Sequence, residues 1–272
     1  MSGCLCVNNV SKSFGGAKVI DGLTFTVPEN SVFGFIGRNG AGKTTTMKMA
    51  LGLLKPDDGD ITVCGEPVRY GQTATNRHVG YLPDVPSFYG FMRPREYLAL
   101  CGEITGLSKA RIKARSDELL SLVGLEDVNK KIGGFSRGMM QRLGIAQALL
   151  DEPKLLICDE PTSALDPVGR KEILDILHQI KGKATVVFST HILSDVERIC
   201  DRIAVIDKGR IVNESAMSDL KYPRTSKTMT IEFAQETDPG DVLRVLNAGS
   251  IPAVKADTGD ASIEDLFLEV IR

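Results

Sequence analysis

Residues 31 to 46 read Ser31-Val-Phe-Gly-Phe-Ile-Gly37-Arg38-Asn39-Gly40-Ala41-Gly42-Lys43-Thr44-Thr45-Thr46, an apolar run that breaks into a glycine-rich loop. From Gly37 to Thr44 the stretch matches the pattern G-x-x-x-x-G-K-[ST]. Glycine permits positive φ and has no Cβ, so successive backbone N–H groups of such a loop can turn inward around a phosphate. The alternative is an ordinary glycine-rich turn, which the strand predicted before the loop and the helix predicted after it disfavour.

The helix predicted from Lys43 to about Leu51 adds to this anion site, because its positive N-terminal end points at the loop. Lys43 is placed to reach the β- and γ-phosphates of a nucleotide, and the Thr44 hydroxyl to ligate Mg²⁺. Thr45 would reinforce the phosphate contacts. We therefore predict that the nucleotide is bound by the loop residues Gly37, Arg38, Asn39, Gly40, Ala41, Gly42, Lys43, Thr44 and Thr45.

The composition is typical of a globular protein, with 272 residues, 42% hydrophobic residues and 25% charged residues. A net charge of −2 gives no electrostatic reason to expect nucleic-acid or anionic-lipid binding. No apolar stretch approaches the ~20 residues that span a bilayer, and no signal-peptide pattern is present, so we expect a cytosolic protein. The six cysteines lack disulfide-framework spacing and are predicted to be free thiols.

The order of predicted elements indicates an α/β fold. Residues 4–36 alternate around turn signals such as Asp21-Gly22 and favour antiparallel strands, whereas the pattern becomes helical from Pro94 to about Leu150. We predict helices over 108–123 with Ser108 as N-cap, from about Met139, over about 167–181, and over 263–271 with Ser262 as N-cap. Near-continuous apolar strands then alternate with helices, which indicates a parallel sheet buried on both faces. We predict a mostly parallel core sheet with an N-terminal antiparallel β subdomain, an inserted helical subdomain at about 85–154, and a small α+β extension over 223–272.

Two carboxylates end the apolar strand Leu155-Leu-Ile-Cys-Asp159-Glu160, the arrangement known as Walker B. At the carboxyl edge of a parallel sheet this strand would bring Asp159 beside the phosphate loop, where Asp159 can hold Mg²⁺. Alternate strand residues face opposite ways, which leaves Glu160 free to orient an attacking water. The alternative is an acidic N-cap for the next helix.

The chain resembles the ATP-binding cassette (ABC) transporter ATPases over roughly residues 4–222. Ser163-Ala-Leu-Asp166 is similar to the family's D-loop, and Ser189-Thr-His191 to its switch histidine. The resemblance implies a P-loop NTPase fold, contact of His191 with the γ-phosphate, and a nucleotide-site role for Asp166. Phe14 lies where the family stacks an aromatic ring on adenine, although an edge-strand core residue is the alternative.

The segment Gly134-Phe-Ser-Arg-Gly-Met-Met-Gln-Arg142 stands in the place of the family signature. Ser136 and Gly138 match the usual Leu-Ser-Gly-Gly-Gln, whereas the residues at 135, 137 and 139 do not. In the family this element serves the nucleotide on the opposite cassette of a head-to-tail dimer. The resemblance therefore implies that Ser136, Arg137 and Gly138 bind nucleotide across such a dimer, with Arg137 adding charge near the γ-phosphate or remaining solvated.

Asp84 occupies the position where the family commonly has the glutamine of the Q-loop. An aspartate keeps an oxygen ligand but loses the amide donor, so we predict that Asp84 is a metal ligand. This acidic Q-loop, the Ser-x-Gly-Met signature and the ending at 262–269 resemble the branch that serves drug, antibiotic-peptide and sodium exporters.

The resemblance implies the ATP-hydrolysing subunit of an exporter, with ATP and Mg²⁺ as cofactors and with Glu160, His191 and Lys43 as catalytic residues. It also implies a second cassette, a separate membrane-spanning partner, and a location on the cytoplasmic face of the cell membrane. One alternative is a cassette ATPase that acts on ribosomes or nucleic acid, whose relatives usually have two cassettes or long insertions. Another is a P-loop GTPase, for which Asn129-Lys-Lys-Ile132 fails at the last position of Asn-Lys-x-Asp.

Overall fold

The structure is a computed structural model and describes residues 3–72, 74–219 and 238–249. Its strands are β1 (Leu5–Phe14), β2 (Ala17–Val27), β3 (Val32–Ile36), β4 (Asp58–Val63), β5 (Glu66–Pro67), β6 (Val79–Leu82), β7 (Leu155–Asp159), β8 (Thr185–Thr190), β9 (Arg202–Asp207) and β10 (Arg210–Ala216). Its α-helices are α1 (Lys43–Ala50), α2 (Pro94–Ile104), α3 (Lys109–Leu122), α4 (Arg137–Ala148), α5 (Pro167–Ile180), α6 (Leu193–Ile199) and α7 (Pro239–Ala248). Short 3-10 turns lie at Ala74–His78 and Ile132–Gly134.

The strands form two sheets. The larger has the order β10-β9-β3-β8-β7-β6, in which only the β9–β10 pair is antiparallel. The smaller is antiparallel, with the order β2-β1-β4-β5. The predicted mostly parallel core sheet and the antiparallel sheet at the N-terminal end are therefore both present.

The strand β3 differs from the expectation that residues 4–36 are antiparallel. All five of its residues are buried, and it pairs in parallel with β8 and β9 at the centre of the larger sheet. A strand covered on both faces has no need for alternation, so its pattern fits a parallel sheet. The predicted turn at Asp21-Gly22 is instead an irregularity within β2, where Gly22 adopts a φ of 63° and its N–H bonds to Ser11 Oγ.

Two clusters of buried side chains hold the layers together. One lies between the two sheets and includes Phe25, whose ring stacks on Phe33 and Phe35 at centroid distances of 5.8 and 5.2 Å. The other packs helices on the opposite face of the larger sheet and includes the predicted apolar faces of α3 and α4. Both faces of the larger sheet are thus covered, as in doubly wound α/β folds.

Two helices begin at capping serines, of which Ser108 was the predicted one. Ser108 caps α3, where its hydroxyl accepts a hydrogen bond from the Arg111 N–H. The helix α4 begins at Arg137, two residues before the predicted start, because the Ser136 hydroxyl accepts from the Met139 N–H. In the predicted C-terminal extension the helix α7 is described, and the remaining predicted elements there, including the last helix with its Ser262 cap, lie outside the described residues.

Candidate functional site

The glycine-rich loop joins β3 to α1 at the carboxyl edge of the larger sheet. Gly42 precedes α1 with a φ of 111°, and Gly40 adopts a φ of 84°. These are left-handed conformations that side chains with a Cβ rarely adopt. A Cβ on Gly42 would also lie 2.3 Å from Ile20 Cδ1. Packing against β2 therefore adds a second reason for glycine at this position.

Lys43 lies at the start of α1, and its side chain is buried, with 6% of its surface exposed. Its ammonium folds back over the loop, with Nζ 2.6 Å from the Gly37 carbonyl oxygen and 3.3 Å from the Arg38 carbonyl oxygen. Nζ also lies 3.1 Å from Glu160 Oε1. The buried Lys43 ammonium thus lies at the mouth of the loop, where it can attract a phosphate group.

Thr44 and Asp159 meet beside the loop. The Thr44 hydroxyl donates to Asp159 Oδ2 at 2.7 Å, and the Ser189 hydroxyl donates to Asp159 Oδ1 at 2.6 Å. Asp159 is buried and ends β7, whereas Thr44 is exposed at the start of α1. The sequence predicted that Thr44 and Asp159 lie together, and the structure brings them into contact.

Glu160 follows β7 directly, with a φ of 48° that is uncommon for a residue with a side chain. Its Oε2 lies 3.0 Å from His191 Nδ1, and its backbone N–H donates to Ser189 Oγ at 2.9 Å. Oε1 is buried and has no well-aligned hydrogen bond, although Lys43 Nζ is within ion-pair distance. A buried acceptor left without a hydrogen bond is costly, so this oxygen is suited to accept one from a bound molecule.

The three chemical groups come from the carboxyl ends of adjacent strands. The loop follows β3, His191 follows β8, and Glu160 follows β7, and these strands are neighbours in the order β3-β8-β7. Residues Asp159 and Ser189 are paired directly in the register of β7 and β8. Ligands of open parallel sheets bind at this edge.

Asp84 and Arg137 contact each other. The Arg137 guanidinium donates to Asp84 Oδ1 at 3.2 Å, and the buried Gln141 side-chain amide donates to the Asp84 carbonyl oxygen at 2.6 Å. Within the described ranges, the polar contact of the Asp84 carboxylate is with Arg137 and not with the Thr44–Asp159 pair. The metal-ligand role of Asp84 thus stays a prediction.

The remaining site residues lie at element ends. Asp166 caps α5, where Oδ1 accepts from the Gly169 N–H at 2.8 Å. Phe14 ends β1 with 47% of its surface exposed, and Lys12 Nζ lies 5.5 Å from its ring centroid. Exposure of Phe14 favours a surface contact over the core role that was its alternative, since a core residue would be covered.

Comparison with known proteins gives the family. The sequence pattern of the ABC transporter family matches residues 20–163, more than half of the chain and including the glycine-rich loop and both Walker B carboxylates. The chain belongs to the ABC transporter family. It is an ATP-binding subunit of this family and an ATPase, which confirms the predicted fold and activity.

Individual relatives agree with this assignment. The bacitracin transport ATP-binding protein BcrA of Bacillus licheniformis is 42% identical, over 87% of this chain and 77% of that protein. A Nod factor export ATP-binding protein I of Burkholderia lata is 41% identical, over 96% of this chain and 95% of that protein. A solved ATP-binding subunit of an ABC transporter superposes with a TM-score of 0.75 and 29% identity, covering 99% of this chain and all of that one.

In the part of the chain that the structure describes, the Thr44–Asp159 pair has the chemistry to take part in binding Mg²⁺. Within the described part of the chain, no group of three or more His, Cys, Asp and Glu side chains could hold a metal ion by itself. The Thr44 hydroxyl and the Asp159 carboxylate supply two hard oxygen ligands, which suits Mg²⁺ bound through one or two side chains together with nucleotide phosphates.

No helix in the described ranges is long and apolar enough to cross a membrane.

Tyr81 lies in β6 beside the site. Burial raises the pKa of Tyr81 to about 12, and the negative charge of Asp159 adds to the effect. The phenol therefore stays a neutral donor at any physiological pH. The Tyr81 hydroxyl is thus a polar but uncharged group near Asp159 and Asp84.

Sequence reasoning missed three contributors to the cassette's site. Ser189 joins both carboxylates, Gln141 anchors the Asp84 backbone, and Asp195 accepts from Thr162 Oγ1 at 2.7 Å and from Arg170 at 2.6 Å. Ser189 had a usable signal, because neighbouring parallel strands that both end at the site place it opposite Asp159. Gln141 and Asp195 had no such signal, since both lie on helices and no strand register places them opposite their partners.

Proposed function

We propose that this ABC cassette is the ATP-hydrolysing subunit of an exporter. Two relatives are named for bacitracin transport and Nod factor export, and the resemblance to the exporter branch rests on Asp84 and on the signature from Ser136 to Met139. The observation that carries the catalytic part is the contact series of Lys43, Glu160 and His191 next to the Thr44–Asp159 pair.

Each residue of this series has a role that its geometry supports. The glycine-rich loop and the N-terminal end of α1 bind the phosphates, while Lys43 neutralises charge at the γ-phosphate. Mg²⁺ held by Thr44 and Asp159 would neutralise further charge on the phosphates. Glu160 orients the attacking water and accepts its proton, and His191 holds Glu160 through Oε2 and reports on the γ-phosphate.

The proposed assembly has two cassettes and a separate membrane-spanning subunit. Residues 1–222 form the cassette with a helical subdomain at about 85–154, and residues 223–272 form the C-terminal extension. Ser136, Arg137, Gly138 and Asp166 would face the nucleotide of the second cassette in a head-to-tail dimer, and Phe14 would stack on adenine. The cassette would act on the cytoplasmic face of the membrane, without nucleic acid.

The Arg137–Asp84 contact bears on how such a dimer closes. An arginine that donates to an aspartate of its own chain has fewer donors left for a phosphate from another chain. Closure would therefore require Arg137 to exchange Asp84 for the γ-phosphate, or to keep Asp84 and meet the phosphate with its remaining donors. Arg137 would then connect the signature to the segment that carries Asp84.

The test is Glu160→Gln. We expect this variant to bind ATP, to form a stable dimer with ATP and Mg²⁺, and to lose about a hundredfold or more in kcat, as the loss of a general base does. ATP hydrolysis, nucleotide affinity and mass in solution are measured together. Lys43→Ala should lose nucleotide affinity, which separates binding from chemistry.

Glu118→Gln is the matched control, because the Glu118 side chain is exposed and pairs with Arg115 on α3, away from the site. Its hydrolysis should equal that of the wild type. Wild-type turnover in Glu160→Gln would remove Glu160 from the base role. Co-purification of the wild-type chain with ribosomes instead of a polytopic membrane protein would contradict the transport assembly.

A further inference from the structure

We propose that Cys4 and Cys64 form an oxidation site that closes a disulfide when the protein meets a peroxide. Their Sγ atoms lie 3.6 Å apart, although the two residues are separated by 60 positions in sequence. Nothing in the ATPase chemistry uses either thiol, so this inference stands apart from the proposed function.

The backbone already brings the two cysteines together. Leu5 of β1 and Val63 of β4 are directly paired in antiparallel register, and Cys4 and Cys64 are the next residues outward on the two chains. The Cys64 N–H donates to the Cys4 carbonyl oxygen at 2.7 Å. Directly opposed residues of antiparallel strands have Cα atoms about 4.5–5.5 Å apart. Disulfides span Cα separations of about 4.4–6.8 Å. Closing the bond thus needs side-chain rotation and little backbone movement.

The two thiols have different environments. Cys4 is buried, with 1% of its surface exposed, and burial raises the pKa of its thiol to about 12. Cys64 is only partly buried, so an oxidant can reach it first. A buried, protonated thiol is a poor nucleophile toward an oxidant in solution, but Cys4 lies 3.6 Å from the Cys64 sulfur, and this proximity gives its attack there a high effective concentration.

The oxidation proceeds in two balanced steps. The Cys64 sulfur attacks the peroxide, an S–O bond forms, the O–O bond breaks, and an alcohol or water leaves with Cys64 as a sulfenic acid. The Cys4 sulfur then attacks the Cys64 sulfur, an S–S bond forms, the S–O bond breaks, and water leaves with the proton of Cys4. Two thiols are oxidised and one peroxide is reduced.

The disulfide would tie β1 to β4 across the segment that contains the glycine-rich loop. Closing residues 4 to 64 into a loop removes conformational freedom from the unfolded chain and so stabilises the folded state. We therefore expect the oxidised protein to unfold at a higher temperature than the reduced protein, by several degrees, and the difference to disappear on treatment with dithiothreitol.

Cys6 provides the matched control. It lies two residues along β1 and is also partly buried, but its direct cross-strand partners are Thr62 and Thr26. Cys6 thus has similar access to oxidant without an opposed thiol. Cys6→Ser should form the Cys4–Cys64 bond as the wild type does.

The experiment treats the full chain with hydrogen peroxide, blocks free thiols, and maps disulfide-linked peptides by mass spectrometry without reduction. We expect the Cys4–Cys64 link in the wild type and in Cys6→Ser. In Cys4→Ser we expect no link and a Cys64 sulfenic acid that dimedone traps. The wild-type map decides the matter even if a variant folds poorly.

Three outcomes would overturn the proposal. They are the absence of a Cys4–Cys64 link in the peroxide-treated wild type, a Cys6–Cys64 link in its place, and Cys64 oxidised to sulfinic acid while Cys4 remains a free thiol.

Discussion

The Ser189 hydroxyl connects the two carboxylates of the site. It donates to Asp159 Oδ1 and accepts from the Glu160 N–H, and the side chain is fully buried. Its first bond orients a proposed metal ligand, and its second holds the backbone of Glu160 in its left-handed conformation. Ser189 is therefore a positioning residue for both roles at once.

Ser189→Ala should weaken both stability and catalysis. Loss of the hydroxyl leaves two buried polar groups without a partner, which costs about 1–3 kcal/mol for each unsatisfied group. Small displacements of catalytic groups cost up to about a hundredfold in rate, so we expect kcat to fall by about tenfold or more while the KM for ATP changes little. Urea unfolding and steady-state ATPase kinetics measure the two effects.

Ser194→Ala is the control for this change, because Ser194 is exposed and accepts only a long bond of 3.4 Å from Arg170. It should leave both measurements near wild type. A Ser189→Ala protein that is as stable and as active as Ser194→Ala would show that the Ser189 hydroxyl does not position the carboxylates.

Single residues differ in how far the sequence predicts them. The contact of Thr44 with Asp159 and the approach of Lys43 and His191 to Glu160 follow from motifs, because each motif ends a strand at the same sheet edge. The Asp84–Arg137 contact was not predicted, although both residues were noted separately as departures from the family pattern. A side-chain pair between the segment after β6 and the start of α4 depends on packing that spacing alone does not show.

At the scale of elements, two ion pairs join α5 to α6. Arg170 bonds to Asp195, whose side chain is 3% exposed and also accepts from Thr162. Arg198 bonds to Asp175, and both of these side chains are about half exposed. The same two helices thus carry one buried and one exposed pair, and only the buried one contacts the segment that follows Glu160.

Asp195→Ala should destabilise the protein much more than Asp175→Ala. Breaking a buried pair costs about 3–5 kcal/mol. Arg170 keeps some contact with solvent, so we expect a loss of about 2–3 kcal/mol for Asp195→Ala. Exposed pairs contribute about 0–1 kcal/mol, and Asp175→Ala should stay in that range. Urea unfolding of both variants measures the difference, and equal losses would contradict the argument.

Asp195→Ala should also lower ATP turnover. The Thr162 side chain is fully buried and lies between Glu160 and Asp166, both of which we place in the nucleotide site. Loss of Asp195, the hydrogen-bond partner of Thr162, would loosen the segment 160–166, whereas loss of Asp175 would not. The kcat of the two variants at equal ATP occupancy distinguishes a positioning effect from general instability.

Helices with strong periodicity and the buried parallel strands β7, β8 and β9 were predicted well, whereas β3 was placed among the wrong partners. The helices α3 and α5 agree with the prediction to within a residue or two, because their apolar faces and caps are explicit in the sequence. The strand β3 was assigned to antiparallel strands, because it follows two such strands and a turn signal. Its pairing is decided by β8 and β9, which lie more than 140 residues away.

At the scale of the whole molecule, β2 and β10 link the two sheets. The Asp21 N–H donates to the Gly209 carbonyl oxygen at 3.0 Å, and Arg210 Nε donates to Asp21 Oδ2 at 2.9 Å. Lys18 donates to the other carboxylate oxygen. Gly209 has a φ of 79° and its N–H bonds to the Ala41 carbonyl oxygen, so this corner also touches the glycine-rich loop.

These contacts predict an acid-sensitive link between the sheets. The hydrogen bond from Lys18, followed by that from Arg210, lowers the pKa of Asp21 below its ordinary value. A carboxyl whose pKa is lower in the folded state than in the unfolded state stabilises the fold. This contribution is fully present above the unfolded-state pKa of ~3.9 and is lost as pH falls through the folded-state pKa. The coupling between Asp21 and Arg210 should thus be present at neutral pH and should vanish in acid.

A double-mutant cycle of Asp21→Asn and Arg210→Gln tests this link across the pH range. We expect the two changes to be non-additive in urea unfolding at neutral pH, because each removes the same contact. In acid, where wild-type Asp21 is itself protonated, the stability changes caused by the two substitutions should become additive. The Asp21→Asn protein should also lose less stability between neutral and acidic pH than the wild type does. A coupling free energy that is the same at both pH values would mean that the charge of Asp21 does not help to join the sheets. The backbone hydrogen bonds and the buried rings of Phe25, Phe33 and Phe35 would then join them.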